Sequence, residues 1–312
     1  MAAPLTQNSA SGADQSTSEQ PAFPEWFVEA RALAGGRYGS IEHDGCTIAY
    51  QTWGKAGLEP MLMLHGAGAS SEWWEATAIL LADRFHIVAP SFAGVGRSQW
   101  REAYTIEQCV AEAMDCARAE GVVSADVRPI CVAHSFGSEV GVRLAIDPGE
   151  VISQLIMVDS LIGLYGSSGA NFPLRERQFY ASASDAVQRY ATVPRDDFGP
   201  SFLRAHVARQ SLESVTLPSG DAAWTWRADP NVMAKLAHET VFDRIGDALC
   251  SVDFIFGGLS SMNSAELRQR QAEVLKREAV FLGIDDAGHH IPLDRPAELA
   301  DAIRKLVALR QT

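Results

Sequence analysis

Short apolar runs alternate with stretches of helical period along this chain from about position 37 onward. The runs read "PMLMLH" (60 to 65), "FHIVAP" (85 to 90), "PICVAH" (129 to 134), "LIMVDS" (155 to 160), "VDFIFG" (252 to 257) and "VFLGID" (280 to 285). Several are apolar at consecutive rather than alternate positions, which predicts central strands covered by helices on both faces. Ahead of them, "RYGSIEH" and "CTIAYQTW" flank Asp44 and Gly45, a turn pair that predicts a hairpin.

The stretches in between supply the covering helices. In "YTIEQCVAEAMDCARAEG", Thr105 followed by Gln108 is a capping-box signature, Ile106, Val110, Ala113 and Ala117 line one face, and Gly121 ends the element. Residues 137 to 146 predict another helix. From about Pro296 a last helix carries Leu299, Ile303, Leu306 and Val307 on one side. Strand and helix thus repeat in one continuous fold of the α/β class. One interval departs from this rhythm. Between Ser160 and Val252 no strand is predicted, but "RERQFYASASDAVQRYA" and "SFLRAHVARQSL" have helical character and prolines punctuate them. Residues 162 to 235 therefore read as a helical cap inserted after the sixth strand, with the core formed by 25 to 161 and 236 to 312.

Composition narrows the function. The 312 residues are 47% hydrophobic and 21% charged, as in a soluble globular protein. With 26 basic against 39 acidic side chains the formal charge is -13, which disfavours nucleic acid or an anionic membrane as partner. The cysteines, Cys46, Cys109, Cys116, Cys131 and Cys250, are scattered and odd in number. They fit buried thiols in a reducing compartment, so a cytoplasmic location is expected. Positions 1 to 24 predict a disordered tail, and no run of eighteen apolar residues predicts a membrane span.

The chemistry centres on "ICVAHSFGSEVG" (130 to 141). A strand ending at 134 and a helix starting at 137 put Ser135 on a sharp turn, with the small residues Ala133 and Gly137 two positions to either side. Such a turn lifts the hydroxyl out of the sheet and presents helix N–H groups to developing negative charge. The bland reading of a serine here is a helix cap; the flanking strand, the small residues and the partners below weigh against it. Serine needs a base, and "DAGHHIPLDRP" places His289 on a loop after the last strand, with the adjacent His290 read as a surface loop histidine. The orienting carboxylate is open between Asp159, at the end of "LIMVDS", and Asp285 or Asp286. "LHGAGASSEWW" follows the third strand, and its Gly66 and Gly68 allow a loop whose Ala67 N–H pairs with the Phe136 N–H as oxyanion donors. "HGAGAS" lacks G-x-G-x-x-G, "GVGRS" is no P-loop, and HExxH is missing, so no cofactor and no metal are expected. Trp224, Trp226, Phe179, Tyr180 and Phe202 are candidate pocket liners beneath the cap.

Together, "LHGAG" with Trp74, "APSFAGVGRS", "AHSFGS", "VDS" and "DAGHHIPLDRP" resemble the α/β-hydrolase superfamily over about 37 to 310. The resemblance implies an α/β-hydrolase fold, a mostly parallel eight-stranded sheet with a helical cap. It matches Ser135 to the nucleophile, His289 to the histidine, and Ala67 with Phe136 to the oxyanion positions. Ser91 stands where the family often has Asp. Ser260 or Ser261 stands where many members carry the acid, so the chain looks like the minority arrangement with Asp159 in that role. The activity implied is hydrolysis of a carboxylic ester or lactone with an apolar portion, by a monomer or homodimer. Rivals are a carbon–carbon bond hydrolase of a diketone-type substrate, a cyanohydrin lyase, a cofactor-free oxygenase and an inactive binding protein on the same fold.

Overall fold

The computed structural model describes residues 23–149, 151–160, 172–196, 198–237 and 241–311. The predicted tail therefore lies outside the described residues up to position 22. The chain enters through helix α1 (Glu25–Ala34) and the hairpin β1 (Arg37–His43) and β2 (Cys46–Trp53). At its turn Asp44 and Gly45 both have positive φ, +46° and +68°, the conformation that lets a two-residue loop follow the strand twist. Then follow β3 (Glu59–Leu64), α2 (Glu75–Leu81), β4 (Phe85–Pro90), the two-residue β5 (Tyr104–Thr105), α3 (Ile106–Ala119), β6 (Ile130–His134), α4 (Gly137–Ala145) and β7 (Gln154–Val158). Helix α3 begins with the predicted capping box: the Thr105 hydroxyl accepts from the Gln108 N–H, and the Gln108 side chain accepts from the Thr105 N–H.

The inserted region contains β8 (Phe179–Tyr180), α5 (Ala183–Gln188), α6 (Ser201–Gln210), β9 (Leu212–Thr216) and β10 (Ala222–Trp226). The chain returns through β11 (Leu236–Ala237) and β12 (Ser251–Gly257), and ends with α7 (Ala265–Leu275), β13 (Phe281–Ile284), α8 (Ile291–Asp294) and α9 (Pro296–Arg310). The main sheet has eight strands in the order β1-β2-β4-β3-β6-β7-β12-β13. Its first two pairings are antiparallel and the rest parallel. Its strands from β3 to β12 are buried almost throughout, and two apolar clusters cover its faces, one built on α3 and α4, the other on α2 and α9. That double cover is why these runs lack alternation.

One expectation fails. The span from Ser160 to Val252 was predicted without strands, yet β8, β10 and β9 form a small antiparallel sheet beside the helices α5 and α6. Ala223 and Thr225 are buried on one face, and Leu212, paired with Trp226, lies on the other with Tyr180 and Trp224, so each strand shows only two or three alternating positions. The sequence signal was the turn "PSGD" between β-branched and aromatic residues. Among the described residues no helix is long and apolar enough to cross a membrane.

Candidate active site

Strand β6 lies near the centre of the sheet, and Ser135 sits where it turns into α4, with φ +49°. Non-glycine residues rarely hold positive φ, and here the surrounding contacts impose it. The Ser135 N–H donates to the Val158 carbonyl of β7 at 3.1 Å, while α4 starts hard against the end of β3. A Cβ on Gly137 would lie 2.6 Å from the Leu64 carbonyl oxygen and 2.7 Å from that of His65. Both obstacles are backbone and cannot swing away. Gly137→Ala should therefore destabilise the fold by about 1–3 kcal/mol, read as a lower urea midpoint; an unchanged midpoint would contradict the close approach.

His289 and Asp159 reach the same end of the sheet from two other strands. His289 Nε2 is 3.0 Å from Ser135 Oγ, and its Nδ1 is 2.6 Å from Asp159 Oδ2. A carboxylate only accepts, so Nδ1 carries the proton and the Nε2 lone pair faces the hydroxyl. Asp159 is fully buried and also at positive φ, +45°. It accepts four hydrogen bonds: from His289, the Gly257 N–H (3.0 Å), Ser260 Oγ (2.6 Å) and Asn263 Nδ2 (3.3 Å). Such a set of donors compensates the removal of a carboxylate from water. Asp285 and Asp286 are both exposed. Of the three acids left open by the sequence, only Asp159 touches the imidazole.

The histidine loop is braced from both sides. The Gly288 N–H donates to Asp294 at 2.9 Å, and the His289 N–H donates to Asp196 of the insertion at 3.2 Å. His290 is a correction to the sequence reading: it is buried, and its Nε2–H donates to the Pro194 carbonyl at 3.0 Å. The inserted segment covers this loop through Pro194 and Asp196.

The loop after β3 owes its shape to His65, a residue the sequence reading passed over. His65 Nε2 accepts from the Phe92 N–H at 3.1 Å, so its Nδ1–H donates to the Gly66 carbonyl at 2.8 Å. The Ala69 N–H binds the same carbonyl at 3.2 Å. Because a trans peptide points its C=O and N–H in opposite directions, pinning the Gly66 carbonyl turns the Ala67 N–H the other way. Neither the Ala67 nor the Phe136 N–H has a hydrogen-bond partner among the described residues. Ser91 belongs to the brace behind this loop, where its Oγ accepts from the Ser71 N–H and donates to the Ser71 hydroxyl, both at 3.0 Å.

A cavity of about 140 Å³ opens over Ser135 and His289, walled by Ala67, Ala69, Trp73, Val193, Pro194 and Met262. A second, of about 290 Å³, lies between the loop at 68–70 and the insertion, and holds Tyr180 and Trp226. The other three expected pocket liners are elsewhere. Phe202 packs its ring against Phe23, Trp26 and Phe27, Trp224 packs with Tyr180 and Leu212, and Phe179 is 48% exposed. They line neither cavity: the aromatics of the N-terminal helix occupy the Phe202 ring, and Trp224 is taken up by the small apolar cluster of the insertion.

Burial also sets a pH dependence. Desolvation pushes His65 and His290 down to about 4 and His134 well below its ordinary value. Unfolded, each imidazole takes up a proton below about pH 6.5. The unfolded chain therefore binds more protons between that value and about 4, and stability falls as pH falls through this window. Glu112 and Asp294, whose carboxyls burial raises, act in the opposite sense, two groups against the three imidazoles. The urea midpoint should be lower at about pH 5.5 than at about pH 7.5; an equal or higher value would refute neutral burial of these rings.

An eight-stranded, mostly parallel sheet with a tight serine turn after β6 and an inserted cap is the architecture of one class of enzymes, and the chain belongs to it: the alpha/beta hydrolase family matches over residues 61–302. Among curated proteins it is similar to the lipase LipV of Mycobacterium tuberculosis, 27% identical over 266 residues that cover 83% of this chain and 97% of LipV. Other curated relatives match over about half their own length, 48% in one case. Among solved structures, the thioesterase domain from the curacin biosynthetic pathway superposes with a TM-score of 0.73 at 18% identity, covering 87% of this chain and 99% of that one. The Mycobacterium tuberculosis esterase Rv0045c gives 0.68 at 18% identity, covering 91% and 97%. At these identities the superpositions speak to the fold.

Proposed function

We propose that this protein is a serine hydrolase that cleaves a carboxylic ester with a short acyl group. The observation that carries the reading is the continuous line from Ser135 Oγ through His289 to Asp159, at 3.0 and 2.6 Å. His289 Nε2 takes the hydroxyl proton as Oγ bonds to the substrate carbonyl carbon, and Asp159 steadies the imidazolium. The Ala67 and Phe136 N–H groups receive the oxyanion. Collapse breaks the ester C–O bond, and His289 returns its proton to the leaving alcohol. Water repeats the sequence on the acyl-enzyme, releasing the acid and restoring Ser135.

The acyl length follows from the cavity. At about 140 Å³ it is well below the several hundred Å³ of a site for a drug-sized ligand, and its walls are mostly apolar. Likeness to a protein named a lipase supports ester chemistry; the cavity volume is the reason we favour short chains. On one purified batch, p-nitrophenyl acetate and butyrate should be turned over with higher kcat/KM than the decanoate, a lactone or a ring-cleavage dienoate. A fluorophosphonate probe should label the chain once, on the peptide containing Ser135. Labelling on another residue, or turnover of the dienoate alone, would overturn the reading.

A further inference from the structure

Three imidazoles converge at the same cavity, and the proposed acyl transfer uses only one. His134, His289 and His290 are all buried, and each offers a ring nitrogen within 4.8 Å of the other two. Each also ties a ring N–H to an oxygen that can only accept. The His134 Nε2–H donates to the His289 carbonyl at 2.9 Å, the His290 Nε2–H to the Pro194 carbonyl at 3.0 Å, and the His289 Nδ1–H to Asp159 at 2.6 Å. The remaining nitrogens, Nδ1 of His134, Nδ1 of His290 and Nε2 of His289, therefore carry lone pairs. His290 Nδ1 is buried with no hydrogen-bond partner, a costly condition for an acceptor shut away from water.

An imidazole whose second nitrogen is anchored to a carboxylate or carbonyl is the arrangement that orients histidine toward a metal ion. We propose that His134, His289 and His290 form a binding site for a zinc-like divalent transition-metal ion, which inhibits the enzyme by occupying the His289 lone pair. Three histidines suit zinc, with water from the cavity in the fourth position. At roughly 2.0–2.1 Å from the ion, the nitrogens would stand about 3.4 Å apart, so small ring rotations into the cavity must close the present separations. The binding stands independently of the acyl-transfer reading; only the inhibition rests on it. The sequence hides the site, since His134 lies 155 positions before His289 and no metal-ligand spacing exists.

The test is titration of the full chain with Co²⁺ as an optical stand-in for zinc, paired with Zn²⁺ inhibition of p-nitrophenyl acetate hydrolysis. Expected are one Co²⁺ bound per chain with the visible bands of a tetrahedral nitrogen site, displacement by Zn²⁺, and inhibition reversed by EDTA. His290→Gln keeps an N–H for the Pro194 carbonyl and His290→Phe does not. Both should weaken Co²⁺ binding, and Zn²⁺ inhibition relative to each variant's own metal-free rate, by about tenfold or more. Failure of the wild-type chain to bind Co²⁺, unchanged affinity in both variants, or a sulfur-to-cobalt charge-transfer band from Cys250 would overturn the site. Absence of any ester turnover would instead overturn the hydrolase reading, with the Co²⁺ titration still deciding the metal site.

Discussion

Ser135→Ala is expected to lower ester turnover by about 10⁴-fold or more and to abolish fluorophosphonate labelling. The loss is large because in the proposed reaction the hydroxyl bonds to the substrate; the proposed oxyanion donors and the cavity would remain but have no nucleophile to assist. The substitution removes one oxygen and a strained serine becomes a strained alanine, so far-ultraviolet circular dichroism and the urea midpoint should change little. Measuring kcat/KM for p-nitrophenyl butyrate alongside the midpoint separates loss of chemistry from loss of fold. A variant that is folded and retains even a tenth of the wild-type rate would remove Ser135 from the reaction.

The second large effect is Asp159→Asn, for which a fall in kcat of about 10⁴-fold is expected with only a modest change in KM. The carboxylate accepts from His289 Nδ1 at 2.6 Å. An amide at that place can turn its NH₂ toward Nδ1, which moves the ring proton to Nε2 and points an N–H at Ser135 where a lone pair is needed. The Gly257 N–H, which faces the other carboxylate oxygen, can still donate to the amide oxygen, and the Ser260 hydroxyl can turn to accept from the NH₂. The geometry should thus survive while the tautomer does not. Asp286→Asn, changing an exposed side chain, should leave the rate near wild type. If the two variants exchanged outcomes, the orienting role would pass to the histidine loop's own aspartate.

Ser260 shows why the carboxylate beside His289 was only partly legible. By the family resemblance, Ser260 or Ser261 stands where many members carry the carboxylate, and Ser260 donates to Asp159 at 2.6 Å. The carboxylate and its hydroxyl partner come from neighbouring strand ends of the sheet, β7 and β12, across 101 positions of sequence. No window of sequence contains both. The same limit explains His65, whose anchoring of the Gly66 carbonyl requires Phe92 from the next strand, and His290, buried only because the inserted segment lies over it.

Local order was written in the chain itself. The capping box at Thr105 and the Asp44-Gly45 turn specify their elements through contacts within a few positions, and the continuous apolar runs and the small residues around Ser135 leave local patterns, so all can be read without knowing the neighbours. That was enough for the α/β class, the inserted cap and the strand-to-helix turn at Ser135. Which carboxylate meets His289, which aromatics line the cavities, the strands within the insertion and the meeting of three imidazoles were decided by the tertiary structure alone. Each depends on the order in which the strands lie side by side, and on which face of a short, weakly patterned element turns inward. Those are set by the packing of segments far apart along the chain.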